Sequence, residues 1–377
     1  MALKIGILTL PITDNYGGIL QAVALYRTLH NQGHDVVLIY KKFYHKEAVW
    51  KNIIKDILIK IPFHDFKKLK TNNRLNQKKL EMKNFHRKFI ANEIFNISEE
   101  LCSKQDLENF TKQENFDAII VGSDQVWRKR YINDIFYKSF FLDFVDGIKI
   151  KKIAYAASFG KDEWEGEDDH KEIAKLLQDF TAISTREQSG VDVCKNTFDY
   201  AKAVHVLDPT ILIGKEFYQK EIIKKYDETD TNKGGLLTYV LDEAVEKKEI
   251  IEFVQKSKGL KSVQHLKGFN TSHTIFSVPQ WVASFANADY TVTDSFHGMV
   301  FSIIFEKEFI VIGNPDRGLD RFISLLSLVG LENRLVFDVK DLEGKEIEKI
   351  DYSRVNKILE EEKKKSLEFL VGTLSDV

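Results

Sequence analysis

Short apolar runs that hand over to a helix through a glycine-bearing turn constrain this chain more than any other feature of it. "KIGILTL" leads into "NYGGILQAVALYRTLHNQG" and then "DVVLIY", and far along the chain "ADYTVTD" leads into "SFHGMVFSIIFEK" and "EFIVIGN". The runs are too short for core helices and are uninterrupted by polar residues, the pattern of strands buried on both faces. In the first linking segment Leu20, Val23, Ala24, Arg27 and Leu29 follow a largely helical spacing, and Gly33 is a suitable C-terminal stop. Strand, turn, helix and strand in that order open a parallel α/β sheet.

The alternation continues. "FDAIIVG", "KIAYAAS", "AISTR", "VHVLDPTIL", "GGLLTYVL" and "KSVQHL" read as further strands, with helical patterns such as "VEKKEIIEFVQKSKGL" between them. A chain of 377 residues is long for one core. Two consecutive α/β sheets are therefore expected: an N-terminal Rossmann-like lobe over residues 1–198 with a basic helical insert at 41–100, a C-terminal Rossmann-like lobe over 199–350, and a C-terminal helix over 351–377. The polar segment from Asp227 to Gly235 is the best linker candidate.

Charge is unevenly spread. Between Lys41 and Ile90 stand 15 Lys/Arg against 4 Asp/Glu, a local excess of 11, so with a total of −2 the rest of the chain carries −13. The insert either rests on anionic lipid, or on a lipid-linked saccharide pyrophosphate, as a peripheral contact, or covers the sheet edge and faces solvent. Near-zero overall charge without a reader motif argues against nucleic acid. Cys102 and Cys194 lack the spacing of a zinc or redox pair and are expected as core thiols in a reducing compartment. No apolar stretch matches a secretory signal or a membrane span of ~20 residues, so the cytoplasm is the expected location.

The candidate functional residues fall at the expected C-terminal ends of strands, where ligands bind in open α/β sheets. At Asp14, Asn15, Tyr16, Gly17 and Gly18 the glycines either let a ligand approach backbone amides at a helix start or simply make a tight turn. In "VGSDQVWR", Asp124, with Gln125 beside it, either takes a proton from a substrate hydroxyl or caps the next helix, and one residue can do both. Arg186 in "STREQSG" offers a planar fork to a carboxylate or phosphate, or pairs structurally with Glu187. His297 falls in the first turn of a helix, among Asp294, Ser295 and Gly298, beside amides that can hold an anion. No residue cluster suggests a metal site.

"DNYGGILQAVAL", "VGSDQVW", "YAASFG", "STREQSG", "VLDPTIL" and "TDSFHGMVFSIIF", in this order, resemble the polysaccharide pyruvyl transferase family from Lys4 to about Leu331. The resemblance implies an α/β fold of two Rossmann-like lobes facing a cleft, like GT-B glycosyltransferases. It implies transfer of the pyruvyl group of phosphoenolpyruvate to two hydroxyls of a sugar, in a polysaccharide or its lipid-linked precursor, giving a cyclic ketal and phosphate without a further cofactor. In relatives an Arg and a His in the matching motifs contact the donor, which points to Arg186 and His297. Some relatives carry an Arg where this chain has Ser295; Ser295, the amides of Phe296 to Gly298, or Arg317 and Arg321 would then serve the donor. Asp124 joins His297 as a catalytic candidate, and Asp14 to Gly18 with Gln125 fall to the acceptor. Two alternatives remain: a GT-B-type glycosyltransferase with a nucleotide-sugar donor, and a non-catalytic glycan-binding relative.

Overall fold

A computed structural model describes residues 2–12, 15–42, 68–132, 136–145, 147–166, 168–227, 234–269, 274–344 and 348–375, the side chains of 68–79 and of 316 excepted. The chain divides into two compact units: Met1–Arg186 with Gly190–His205 and Leu370–Val377, and Glu187–Ser189 with Val206–Phe369. Each is built on one parallel sheet.

The first unit runs β1 (Lys4–Leu8), α1 (Tyr16–Asn31), β2 (Asp35–Ile39), α2 (Lys68–Glu93), α3 (Lys104–Glu114), β3 (Ala118–Asp124), β4 (Lys151–Ala157), α4 (His170–Gln178), β5 (Ala182–Thr185), α5 (Gln188–Phe198), which begins in the stretch assigned to the second unit, and β6 (Val204–His205). Its six strands lie in the order β2-β1-β3-β4-β5-β6, with Ile7 of β1 opposite both Leu38 and Ile120. The apolar runs form the central strands because helices cover both faces: Ile5, Ile7, Ile119, Ile120 and Val121 are fully buried. α1 is buried along most of its length, which explains why its sequence shows so little polar face. Trp127 stacks on Phe141 at 5.5 Å and donates its Nε1–H to the Phe140 carbonyl at 2.8 Å, fixing the loop after β3 in the core. Cys194 is buried as expected; Cys102 is only partly buried, because it precedes the Ser103 cap of α3 at the surface.

The second unit continues with β7 (Leu236–Tyr239), α6 (Val245–Ser257), β8 (Val263–Lys267), α7 (Val278–Asn287), β9 (Tyr290–Thr293), α8 (Phe296–Ile304), β10 (Glu308–Ile312), α9 (Asp320–Val329), β11 (Leu335–Val336) and α10 (Tyr352–Ser375). Its sheet order is β11-β10-β9-β7-β8, again parallel throughout. α8 is apolar on all sides and every one of its residues is buried, with Phe301 packed on Trp281 at 5.0 Å. Most of the linker candidate from Asp227 to Gly235 and much of the basic insert, residues 43–67, lie outside the described residues.

Strand order reverses between β1 and β3 in the first sheet and between β7 and β9 in the second. A crevice opens beyond the strand ends at such reversals. The sequence candidates flank these two places.

Candidate active site

At the first reversal β3 ends on Asp124, whose backbone takes a φ of +79°, costly for a residue with a side chain. Gly122 before it has φ +133°, and a Cβ there would come within 2.0 Å of the Tyr155 carbonyl oxygen, so only glycine allows this close passage of β3 against β4. The strand end is latched from α1. Gln21, fully buried, accepts the Ser123 N–H at 3.1 Å through Oε1 and donates to Thr9 Oγ1 at 2.9 Å and to the Gly18 carbonyl at 2.9 Å. The Thr9 hydroxyl in turn donates to the Ser123 carbonyl at 3.1 Å. Gly17 and Gly18 are both buried in the first turn of α1, and Asn15 stands at its N-cap without a side-chain capping bond. Tyr16 is buried with its ring edge-on to His86 at 5.1 Å. Asp14 lies outside the described residues.

Asp124 Oδ1 accepts the Gln125 N–H at 2.9 Å and Arg186 Nη2 at 3.2 Å. The two charged side chains are 5% and 1% exposed, a fully desolvated pair in which each charge depends on the other. β4 lies between their strands, and both residues sit at C-terminal strand ends. The Arg186 backbone is held as well: its N–H donates to the Ala157 carbonyl at 3.1 Å, and its carbonyl meets His205 Nε2 at 3.1 Å. Gln125 turns its Oε1 to Arg128 at 3.0 Å.

At the second reversal Ser295 is the N-cap of α8, its hydroxyl accepting the Gly298 N–H at 3.4 Å. His297 is thus in the first turn, as the sequence implies, and is 5% exposed. Its Nε2 is buried, makes no hydrogen bond among the described residues, and lies 3.6 Å from Asp208 Oδ2. The other oxygen of Asp208 accepts the Thr210 N–H at 2.9 Å and the Thr210 hydroxyl at 2.6 Å, capping the short helix Pro209–Leu212. Gly298 packs tightly, since a Cβ there would meet Thr293 Oγ1 at 2.2 Å. Phe296 carries the Arg321 guanidinium over its ring at 5.4 Å, and Arg321 Nη2 donates to the Arg317 carbonyl at 2.9 Å. Arg317 forks onto the Asp242 carboxylate, Nη2 to Oδ1 at 2.7 Å. That bond holds the Asp242 carboxyl below its ordinary range, against a smaller opposing effect of burial.

Asp208, Lys247 and Asp242 were not singled out in the sequence. Asp294 accepts Lys247 Nζ at 2.6 Å and the Leu241 N–H at 2.7 Å, tying the loop after β7 to the end of β9. Asp208 stands in "VLDPTIL", where an Asp before Pro signals a helix cap but not a histidine neighbour. Asp124 and Arg186 thus form one cluster in the first unit, and Ser295, Phe296, His297, Gly298, Arg317 and Arg321 another in the second. Among the described residues no group of three His, Cys, Asp or Glu is placed to hold a metal ion.

In fold the chain is similar to UGT89C1 of Arabidopsis thaliana complexed with UDP-L-rhamnose, with a TM-score of 0.52 and 9% identity over 100% of this chain and 98% of that one. It is also similar to UDP-GlcNAc 2-epimerase of Methanocaldococcus jannaschii in complex with UDP-GlcNAc and UDP, with a TM-score of 0.50 and 12% identity over 100% of both chains. At such identities the likeness speaks to the fold: two Rossmann-like lobes of the GT-B kind. No curated protein matches the chain in sequence. The family model described as polysaccharide pyruvyl transferase matches residues 15–317, a span that holds the first cluster, the second except Arg321, and every strand from β2 to β10. The chain belongs to the polysaccharide pyruvyl transferase family.

Proposed function

We propose that this protein transfers the pyruvyl group of phosphoenolpyruvate to two hydroxyls of one sugar, in a polysaccharide or its lipid-linked precursor, forming a cyclic ketal and releasing phosphate. In the transfer the methylene carbon of the donor gains a proton and becomes a methyl group. One sugar oxygen bonds to the neighbouring carbon, which loses phosphate, and a second closes the ring. The two hydroxyl protons replace the one given to carbon and leave one for the departing phosphate.

The donor brings a carboxylate and a phosphate, which call for cationic forks and helix N-termini. Arg186 is the fork: when the donor's anionic group recruits it, Asp124 is released to take the proton of the attacking hydroxyl. His297 delivers a proton from the first turn of α8, and Asp208 is the carboxylate that pairs with it in its charged form. Gln125 and the α1 start, Asn15 to Gly18, face the acceptor. Among the described residues no helix is long and apolar enough to cross a membrane.

The observation that supports this reading most is the buried Asp124–Arg186 pair, made across the end of β4 within the family match. Incubation with phosphoenolpyruvate and candidate saccharides tests it through phosphate release and acceptor mass. The expected product carries one pyruvyl ketal. A product extended by a sugar from a nucleotide-sugar donor, with phosphoenolpyruvate untouched, would replace the proposal by a glycosyltransferase.

A further inference from the structure

Where β2 ends, the first unit carries a cavity of about 650 Å³ lined by neither Asp124 nor Arg186. Its size is that of small-molecule sites, roughly 300–1,000 Å³. Among the described residues four cationic side chains line it: Lys41 and Lys42, which directly follow β2, and Lys83 and Arg87, one turn apart on α2. They meet one lining carboxylate among the described residues, Glu100, which already holds Lys42 Nζ at 2.7 Å. The frame is rigid. Lys42 N–H donates to the Leu101 carbonyl at 2.9 Å, Lys41 is 3% exposed with its ammonium 5.4 Å from the Phe140 ring centre, and His86 is 1% exposed against Tyr16. Lysine is seldom buried to this degree without an opposite charge or an aromatic face nearby. Pro11, Ile12, Ile90 and Ile97 supply an apolar wall, so the occupant has an anionic head and a less polar body.

We infer that this cavity binds the phosphate or diphosphate ester group of a phosphorylated compound, gripped by Lys83 and Arg87 from α2. It lies beyond the C-terminal ends of β1 and β2, the side of an open α/β sheet on which ligands bind. β1 alone separates β2 from β3. The strand ends are thus two spacings apart, ~10 Å, so an ester held here is within a sugar's reach of Asp124. The anionic group follows from the cavity alone; that the ester carries the acceptor sugar rests on the function proposed above.

Titration calorimetry of the full chain with inorganic pyrophosphate tests the site without turnover. The wild type and Arg186→Ala bind it, while Lys83→Ala/Arg87→Ala, changed only at exposed side chains and checked for fold by circular dichroism, loses at least about tenfold in affinity. UDP-glucose binding more tightly than geranyl diphosphate makes the natural ester a soluble one; the reverse order makes it a lipid ester. No pyrophosphate binding by the wild type, or equal binding by the double variant, overturns the inference. So does sedimentation with phosphatidylglycerol vesicles that depends on Lys83 and Arg87 and is not competed by pyrophosphate, which would make this face a membrane contact. Pyrophosphate binding that persists while phosphoenolpyruvate is never consumed would remove the proposed reaction and leave the site standing.

Discussion

His297 and Arg186 are the residues on which the proposed reaction depends most directly, and their surroundings make separable predictions. Changing either to Ala lowers kcat by at least about 10²-fold with native circular dichroism, as expected for loss of a proton donor or an anion fork; wild-type rates in both would remove the assignment. Asp208→Asn is sharper, because Asn keeps an oxygen for the Thr210 cap and loses only the charge beside His297. The expected result is a fall in kcat of roughly tenfold or more with little change in KM and in thermal stability. Arg317 gives a pH-dependent test. Its bond depresses the Asp242 pKa in the folded state, so the stability it contributes is present above the ordinary carboxylate range and is lost as pH falls through the depressed value. In Arg317→Ala the Asp242 carboxyl should titrate at higher pH than in the wild type, read by NMR, and the acid side of the stability profile should flatten. The strand-end positions of Asp124 and Arg186 and the helix-start position of His297 were legible in the sequence, because the first two close short strand-like runs and the third opens an apolar helical segment. Their partners were not: Asp124 meets Arg186 across β4 from 62 residues away, and no local pattern encodes a contact between non-adjacent strands.

α8 was the most legible element, since an apolar segment capped by Ser295 has few ways to fold other than as a buried helix. What the sequence hides is how tightly its first turn is seated. Thr293 Oγ1 donates to the Tyr239 carbonyl at 2.7 Å and accepts the Ser295 N–H at 3.0 Å, so it cannot give way to a Cβ at position 298. Gly298→Ala should destabilise by about 1–3 kcal/mol, measured by denaturant unfolding, and shift His297 enough to cost activity beyond that loss. A stable, fully active variant would mean that the turn is looser than its contacts imply. α2 is the contrasting element. Its basic character was plain, but a run of lysines reads the same whether it meets solvent or lines a cavity, and only the cavity at the end of β2 separates the two.

At the scale of the whole chain, the two-sheet α/β architecture was readable because parallel strands buried on both faces leave uninterrupted apolar runs. The division of the chain was less so, because contact and not sequence order decides it. α10 begins in the second unit, yet Leu370 to its end belongs to the first, where Leu370 and Leu374 are buried and Lys151 Nζ donates to the Thr373 carbonyl at 2.6 Å. Deleting residues 370–377 should therefore destabilise the first unit by roughly 3–6 kcal/mol, at ~1.5–3 kcal/mol per buried leucine, seen as an earlier unfolding transition. An unchanged transition would show that the tail only decorates that unit. The first unit, whose strands are all synthesised earlier, thus waits for the last turns of α10 before its packing is complete, and a chain broken off ahead of Leu370 would lack a piece of the core it began with.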